Sequence, residues 1–483
     1  MGLASKHKIT LLQINDTHAY LEPHAELFWD GNRAVYRTAG GYARILTILN
    51  QVRKECEGAV IALDNGDTFH GTFHAVNSQG EALIAPINLL GLDAWTVHWD
   101  FAYGVERLND LAKRLNHPLL AINCYHKETG ALAYKPCTVI ERGGIKVGVI
   151  GIAATIIDKT MPEHFSHGLR YTLGNEELPG HIRALREQDG VDLVVVLSHL
   201  GFPQDVKLAT EGPGIDVLLS GHTHNRLSEP FKVNNTTIIQ SGCHGSFVGR
   251  LDIERSSEGT TVRHQLIEVG ESVTEDQKMR RVVDTVISPH REMLSEIVGH
   301  TLTALNRNTL LEATMDNLLL QAIADIAGTT IAFSNGWRYG APIPAGPVTV
   351  NDLWNIIPTN PPVSLVELTG SEMRDMIEEN LEHTFAADPY HQMGGYLKRC
   401  LGINVYAKLE NPAGSRVQQI FADGKLLEHA RVYSAAFVTA QGVPKKYGRN
   451  RRELDTHAVD ALKQYFARRG EVKAELRNSV VAV

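Results

Sequence analysis

Up to about residue 255, short apolar runs alternate with segments of helical spacing. ITLLQIND, AVIALDNGD, HPLLAIN, KVGVIGIAA, VDLVVVLSHL, IDVLLSGHTH and TTIIQSG each read as a buried strand. Between them, GGYARILTILNQVRKEC and EELPGHIRALREQ place apolar residues on one helical face. Near-continuous apolar strands alternating with helices predict an α/β domain whose sheet is covered on both faces. Thr274 followed by Gln277 forms a capping-box pattern that opens a helix, and Pro289 breaks it. A second pattern starts near residue 301, with helices expected at 311–326 and 370–382 and strands at 329–334 and 403–408. The expected division is a first domain over 1–270, a connecting helix over 271–300 and a second domain over 301–483.

The totals narrow the function. A chain of 483 residues with 43% apolar and 21% charged residues has ample material for two cores. A net charge of -8 gives no electrostatic footprint for a nucleic-acid polymer. No run is long enough to span a membrane. The start, MGLASKHKIT, has no h-region, and Lys6 defeats a myristoylation pattern at Gly2, so the expectation is a cytoplasmic protein. A trimmed periplasmic protein would look the same. The scattered cysteines, 56, 124, 137, 243 and 400, form no CxxC pair and fit a reducing compartment. Histidine is unevenly spread: of 22, 16 lie before residue 270.

Those histidines meet carboxylates at strand ends. ITLLQIND-T-H carries Asp16 and His18, DNGD carries Asp67, TVHWD carries His98, VVVLSH carries His199, and SGHTH carries His222 and His224. Residues i and i+2 of an extended chain point the same way, so each D-x-H or H-x-H pair is expected to converge on one point. Open α/β sheets gather ligands beyond the carboxyl ends of their strands. One histidine after a strand reads as a hydrogen-bonded loop residue; a whole series of such ends, with ligand-type side chains throughout, reads as a metal centre.

INDTH, DNGDTFHG, LSHLG and SGHTH resemble the calcineurin-like metallophosphoesterases, and FSNGWRYGAP with GPVTVNDLWNIIP resembles their 5'-nucleotidase branch. The resemblance runs over essentially the whole chain. It implies an αββα domain (a β-sandwich flanked by helices) followed by a C-terminal α/β substrate-binding domain. It implies a metal-dependent phosphoric ester hydrolase of nucleotide catabolism, acting on a small phosphoester substrate. No nucleic-acid polymer or membrane partner is expected, and the oligomeric state is open. The implied cofactor is two divalent ions, Mn²⁺ or Zn²⁺ first and Fe²⁺ or Co²⁺ next. Asp16, His18, Asp67 and His224 would hold one; Asp67, position 98, His199 and His222 would hold the other.

The stretch TVHWDFAYG, residues 96 to 104, departs from the family's Gly-Asn-His-Glu-Phe-Asp-Tyr-Gly. Anchored on Phe101, Tyr103 and Gly104, it puts His98 at the family's ligand Asn. Trp99 then stands at the catalytic His and Ala102 at that histidine's Asp partner. A one-residue shift would make His98 the catalytic histidine and leave Val97 at the ligand position. The variant is similar to that of bacterial thiosulfohydrolases, which implies a sulfate-ester or thiosulfate-type hydrolase as the alternative. A metal-bearing binding protein without catalysis is the other. Trp99 reads as a wall of the site or as a packed aromatic.

In the second domain SNGWRYG resembles the family's Asn-Gly-Gly-x-Arg loop, which implies that Asn335 and Arg338 meet the substrate and that Trp337, in place of a small residue, offers a stacking face. Pro358-Thr359-Asn360 and AQGVPKKYG, residues 440 to 448, replace two family loops that carry the aromatics for a base. Tyr396, Lys398 and Arg399 are alternative contacts, or an exposed glycine loop with ordinary surface cations.

Overall fold

The computed structural model describes residues 7–256 and 259–483. Gly2 and Lys6, on which the reading of the N-terminus turned, lie outside the described residues. The chain divides into two compact units: residues 1–24 with 38–288, and residues 25–37 with 289–483. Among the described residues no helix is long and apolar enough to cross a membrane.

The first unit has the αββα architecture. A five-stranded sheet runs in the order Gly259–Glu268, Phe247–Ser256, His7–Ile14, Val60–Asp64, Ala94–Trp95. A six-stranded sheet runs Phe231–Val233, Thr236–Ile239, Val217–Ser220, Leu193–Ser198, Ile145–Ile152, Cys137–Arg142. The period-2 geometry of strands explains the layers. On Leu193–Ser198, Leu193, Val195 and Leu197 join Ile9, Leu11, Ile61 and Leu63 in the core between the sheets. Val194 and Val196 face the other way, onto Leu178, Ile182 and Leu185 of one helix and Leu208 of another. Both faces of this strand are buried, which is why its sequence is apolar without alternation.

The parallel pairings bring the carboxyl ends level. Ile14 pairs with Asp64, and Asp64 with Trp95, in the first sheet. Ser198 pairs with Ser220, and with Ile152, in the second. The chain therefore leaves both sheets at one rim, just before Asp16, Asp67, His98, His199 and His222.

Two local expectations are corrected. HPLLAIN forms isolated bridges through Leu119 and Leu120, not a strand. It crosses between the sheets: Leu120 N donates to Trp95 O in the first, and Ile122 N to Gly151 O in the second. Thr274 does not cap its helix. The helix is Gln277–Ile287, and the Asp276 carboxylate accepts from Lys278 N and Met279 N. Asp276 sits directly before the first helical residue, where a side-chain oxygen reaches the free N–H groups. That helix ends before Pro289, which lies in a 3₁₀ turn, Ser288–His290.

The second unit is built on a five-stranded sheet, Tyr396–Leu401, Ile331–Gly336, Val432–Phe437, Pro362–Thr369, Arg449–His457. Helices Thr314–Ala327, Gly370–Phe385 and Ala458–Arg469 belong to the same unit. Thr369 and Glu372 form a full capping box at the start of Gly370–Phe385. Within this unit Asp316 is fully buried between two buried guanidiniums: Arg307 Nε donates to Oδ1 at 2.8 Å and Arg399 Nε to Oδ2 at 2.9 Å. The other guanidinium nitrogens donate to the carbonyls of Tyr339, Ile356, Thr309 and Leu310. Removing the carboxylate leaves two buried cations without their counter-charge. Asp316→Ala is expected to destabilise this unit by about 3–5 kcal/mol, read as a shifted denaturant midpoint for its transition.

Candidate metal centre

The rim of the first unit brings two groups of ligand-type side chains together. Asp67, His98, His199 and His222 form one, and Asp16, His18, Asp67 and His224 the other; within each, one ligand atom per residue lies within 4.8 Å of all the rest. Asp67 belongs to both. The Nε2 atoms of His18 and His224 approach to 3.2 Å, and His224 Nε2 stands 3.3 Å from Asp16 Oδ1. On the other side His98 Nδ1 is 3.2 Å, and His199 Nε2 3.4 Å, from the Asp67 carboxylate.

The backbone that achieves this is not extended. Asp16, His18, Asp67, His222 and His224 all have positive φ, between 47° and 71°. Non-glycine residues rarely adopt this left-handed region, and such outliers cluster at functional sites. The expected i, i+2 alternation is thus replaced by tight turns. Asp16 and His18 share one group as expected. His222 and His224 diverge, one to each group. Gly66, at φ 89°, lets the DNGD turn approach its neighbour: a Cβ there would lie 2.4 Å from Thr96 O.

Buried partners fix each ring and carboxylate. His199 Nδ1 donates to Asn65 O at 2.5 Å, which turns Nε2 to the cluster. His18 Nδ1 lies 3.2 Å from His70 O and does the same. Asp67 Oδ1 accepts from Trp99 N at 2.7 Å. Asp16 accepts from Asn15 Nδ2 at 2.8 Å and from His222 N at 3.0 Å. Asp100 is the key support of the stretch 96–104. Its buried carboxylate accepts the N–H groups of Asp67, Thr68 and Phe69 and that of His98, tying the two ligand loops together.

The electrostatics call for positive charge. Burial alone would raise Asp16 and Asp67, yet the facing histidines hold both below the usual carboxylate range, Asp67 strongly. Burial opposes a charge on His199, but the carboxylates of Asp67 and Asp16 outweigh it and push its pKa up to about 10. His18 goes the other way: burial drives it well below its ordinary value. Two ionised carboxylates thus recruit a proton where a cation belongs. Among the described residues the buried His98 Nε2 has no hydrogen-bond partner, and the buried His199 Nε2 faces the carboxylates of Asp67 and Asp16 at 3.4 and 3.6 Å. Imidazole nitrogens left open beside carboxylates fit divalent transition metals.

Trp99 is 7% exposed and stacks on His70, centroids 4.6 Å apart and 12° from parallel, with Phe165 edge-on at 5.5 Å. Ala102 offers no acid. Burial brings His70 down to about 4, so its ring is uncharged at neutral pH and is not a ready general acid. The His244 ring lies 6.0 Å from both His18 and His224.

In the second unit Asn335 Nδ2 donates to Gln441 Oε1 at 3.1 Å, and Arg338 Nη2 to Gly395 O at 3.0 Å. Trp337 is buried, with the Arg307 guanidinium 5.5 Å from its ring centre. The reading of Lys398 and Arg399 as surface cations is wrong: they are 3% and 2% exposed. Arg399 is held by Asp316, and Lys398 Nζ donates to the carbonyls of Gln441 and Gly442. Burial lowers the Lys398 pKa to about 8. Tyr396 lies between two cations, with Arg338 and Arg399 each 5.4 Å from its ring centre.

Asp100, Asn65 and Asn15 escaped the sequence reading. Asn15 and Asn65 stand inside the very runs, IND and DNGD, that flagged the ligands, and a polar residue at a buried strand end was the available signal.

Residues 297–439 match the model of the 5'-nucleotidase C-terminal domain family. The trifunctional nucleotide phosphoesterase YfkN of Bacillus subtilis is 24% identical over 461 residues, 85% of this chain and 30% of that longer protein. Two solved structures share the fold over nearly their whole length. The sulfate thiohydrolase SoxB of Thermus thermophilus superimposes with a TM-score of 0.91 at 24% identity, covering 100% of this chain and 98% of its own. A 5'-nucleotidase precursor, also of Thermus thermophilus, gives 0.85 at 23% identity, covering 99% of each. Residues 297–439 thus form a domain of the 5'-nucleotidase C-terminal type, and over most of its length the chain is similar to nucleotide phosphoesterases and shares the fold of SoxB and of a 5'-nucleotidase.

Proposed function

We propose that the chain hydrolyses phosphomonoesters, nucleotides or nucleotide-like compounds, at a centre of two divalent ions. The observation that carries the reading is the pair of ligand groups sharing Asp67. Asp16, His18, Asp67 and His224 would hold one ion; Asp67, His98, His199 and His222 would hold the other. The mixed imidazole and carboxylate donors suit Mn²⁺ or Zn²⁺, with Fe²⁺ or Co²⁺ as alternatives. Such ions activate water at neutral pH and supply positive charge to the phosphoryl group. The chain's own residues pre-organise the centre: Asn65 O and His70 O set the ring orientations, and Asp100 clamps the loops that carry Asp67 and His98.

Protonation of the leaving group is the weak point. Trp99 and Ala102 stand where the family's His–Asp pair would be. The same stretch supports a second reading, hydrolysis of sulfate or thiosulfate esters at the same ions, because His98-Trp99-Asp100-Phe101 resembles the variant of the thiosulfohydrolases. A hydrolysis screen of protein reconstituted with Mn²⁺ or Zn²⁺, over nucleotides, sugar phosphates and sulfate or thiosulfate esters, separates the two. Turnover of nucleotides is the expected result; turnover of sulfur esters alone would establish the second reading in its place.

Asn335, Trp337 and Arg338 are the proposed substrate contacts of the second unit. Arg338→Ala removes a planar fork of donors and is expected to raise KM about tenfold or more while leaving metal content unchanged. Unchanged kinetics on the best substrate of the screen would remove Arg338 from the site.

A further inference from the structure

We infer that Asp205 is a positioning residue that sets His199 and His222 for the ion they are proposed to share. This rests on the two-ion reading above. Asp205 lies on the helix Phe202–Glu211, beyond the ligand groups, and is fully buried. Its Oδ1 accepts from Ser198 Oγ at 2.6 Å and its Oδ2 from Ser220 Oγ at 2.6 Å. Ser198 and Ser220 are the paired last residues of two neighbouring parallel strands. The next residue after the first is His199; two residues beyond the second is His222. One carboxylate therefore fixes both strand ends at the point where each passes into a ligand.

The surrounding polar groups make this a joint and not an isolated bond. Asn65 Nδ2 donates to Ser198 O at 2.8 Å, and Gln13 Nε2 to Ser220 O, also at 2.8 Å. Leu200 N donates to Ser198 Oγ at 3.2 Å, and Gln240 Nε2 to Ser220 Oγ at 3.0 Å. A buried polar network with every member satisfied selects one geometry; a partly satisfied one does not. His224 is tied to this joint only at one remove: Thr223 Oγ1 and Asn225 N on either side of it donate to Gln240 Oε1, and it is Gln240 Nε2, not Asp205, that continues to Ser220 Oγ. Loss of Asp205 should thus affect the ion of His199 and His222 far more than the other.

The test is a calorimetric titration of metal-free protein with Mn²⁺ alone. Wild type is expected to take up two ions. In Asp205→Ala, affinity for one ion should fall about 10–100-fold, the range seen when a partner behind a metal ligand is removed, with the other within about twofold. Asp205→Asn should restore both, because its amide can accept from one serine and donate to the other. If Asp205→Ala does not fold, the double variant Ser198→Ala, Ser220→Ala removes the same bonds and keeps the helix intact. Equal weakening of both ions, no change in either, or failure of Asp205→Asn to restore binding overturns the positioning role. Wild-type protein that takes up fewer than two ions overturns the two-ion reading itself.

Discussion

Asp67→Ala is expected to leave the folded protein without either ion and without measurable turnover. Asp67 is the one residue common to both ligand groups, so its loss opens two sites at once. The remaining histidines would also lose the charge that opposes their own burial. His199, held near 10 chiefly against burial by Asp67 and Asp16, would lose the first of those partners. A bound ion contributes several kcal/mol to the transition state, so the rate should fall about 10³-fold or more. Elemental analysis after reconstitution and desalting reads the metal, and a hydrolysis assay reads the rate. Retention of one full ion would mean that the carboxylate is not shared.

The second large effect concerns the leaving group. With Trp99 and Ala102 in place of an acid and its partner, esters that need a proton on departure should be slow. General acid catalysis is worth about 10²–10⁴-fold, and nitrophenyl phosphate, whose leaving group departs as an anion, should escape most of that loss. The steepness of a leaving-group series measures the effect. Equal rates across it, with chemistry rate-limiting, would point to another proton donor, and His244, whose ring centre lies 6.0 Å from those of His18 and His224, is the next residue to substitute. His98 is tested alongside. Its Nδ1 is 3.2 Å from Asp67, its Nε2 is open, and the rings of His199 and His222 stand 5.0 and 4.8 Å away. That geometry suits a ligand. His98→Ala should cost one ion, and His98→Asn should keep both by returning an amide oxygen. If His98 is instead the acid of the shifted alignment, both variants keep two ions and lose rate.

The sequence carried the layers of the first unit because its strands are buried on both faces and leave long apolar runs, as in LVVVLS. Most residues of the ligand groups were readable for a different reason: they stand within a few positions of the end of such a run, although His98 follows only the short strand Ala94–Trp95. What could not be read was the manner of their convergence. Left-handed turns at Asp16, His18, Asp67, His222 and His224 leave only a weak signature, because Asp and His favour that region more than other non-glycine residues but adopt it in a small minority of cases. Asp205 was equally silent, since FPQDVKLATE reads as an ordinary amphipathic helix and only the tertiary fold sets Asp205 against two serines. Lys398 and Arg399 were misread because cations beside a glycine pair suggest surface, whereas Asp316 and a set of backbone carbonyls bury them. The HPLLAIN segment shows the same limit: an apolar run says buried, and the donors on either side decide whether it is a strand.

The most direct test is crystallography of the Mn²⁺-reconstituted protein with data collected for manganese anomalous scattering. Two peaks are predicted, one coordinated by Asp16, His18 and His224, the other by His98, His199 and His222, and both touching Asp67. A single peak, or two that do not share Asp67, would contradict the two-ion centre.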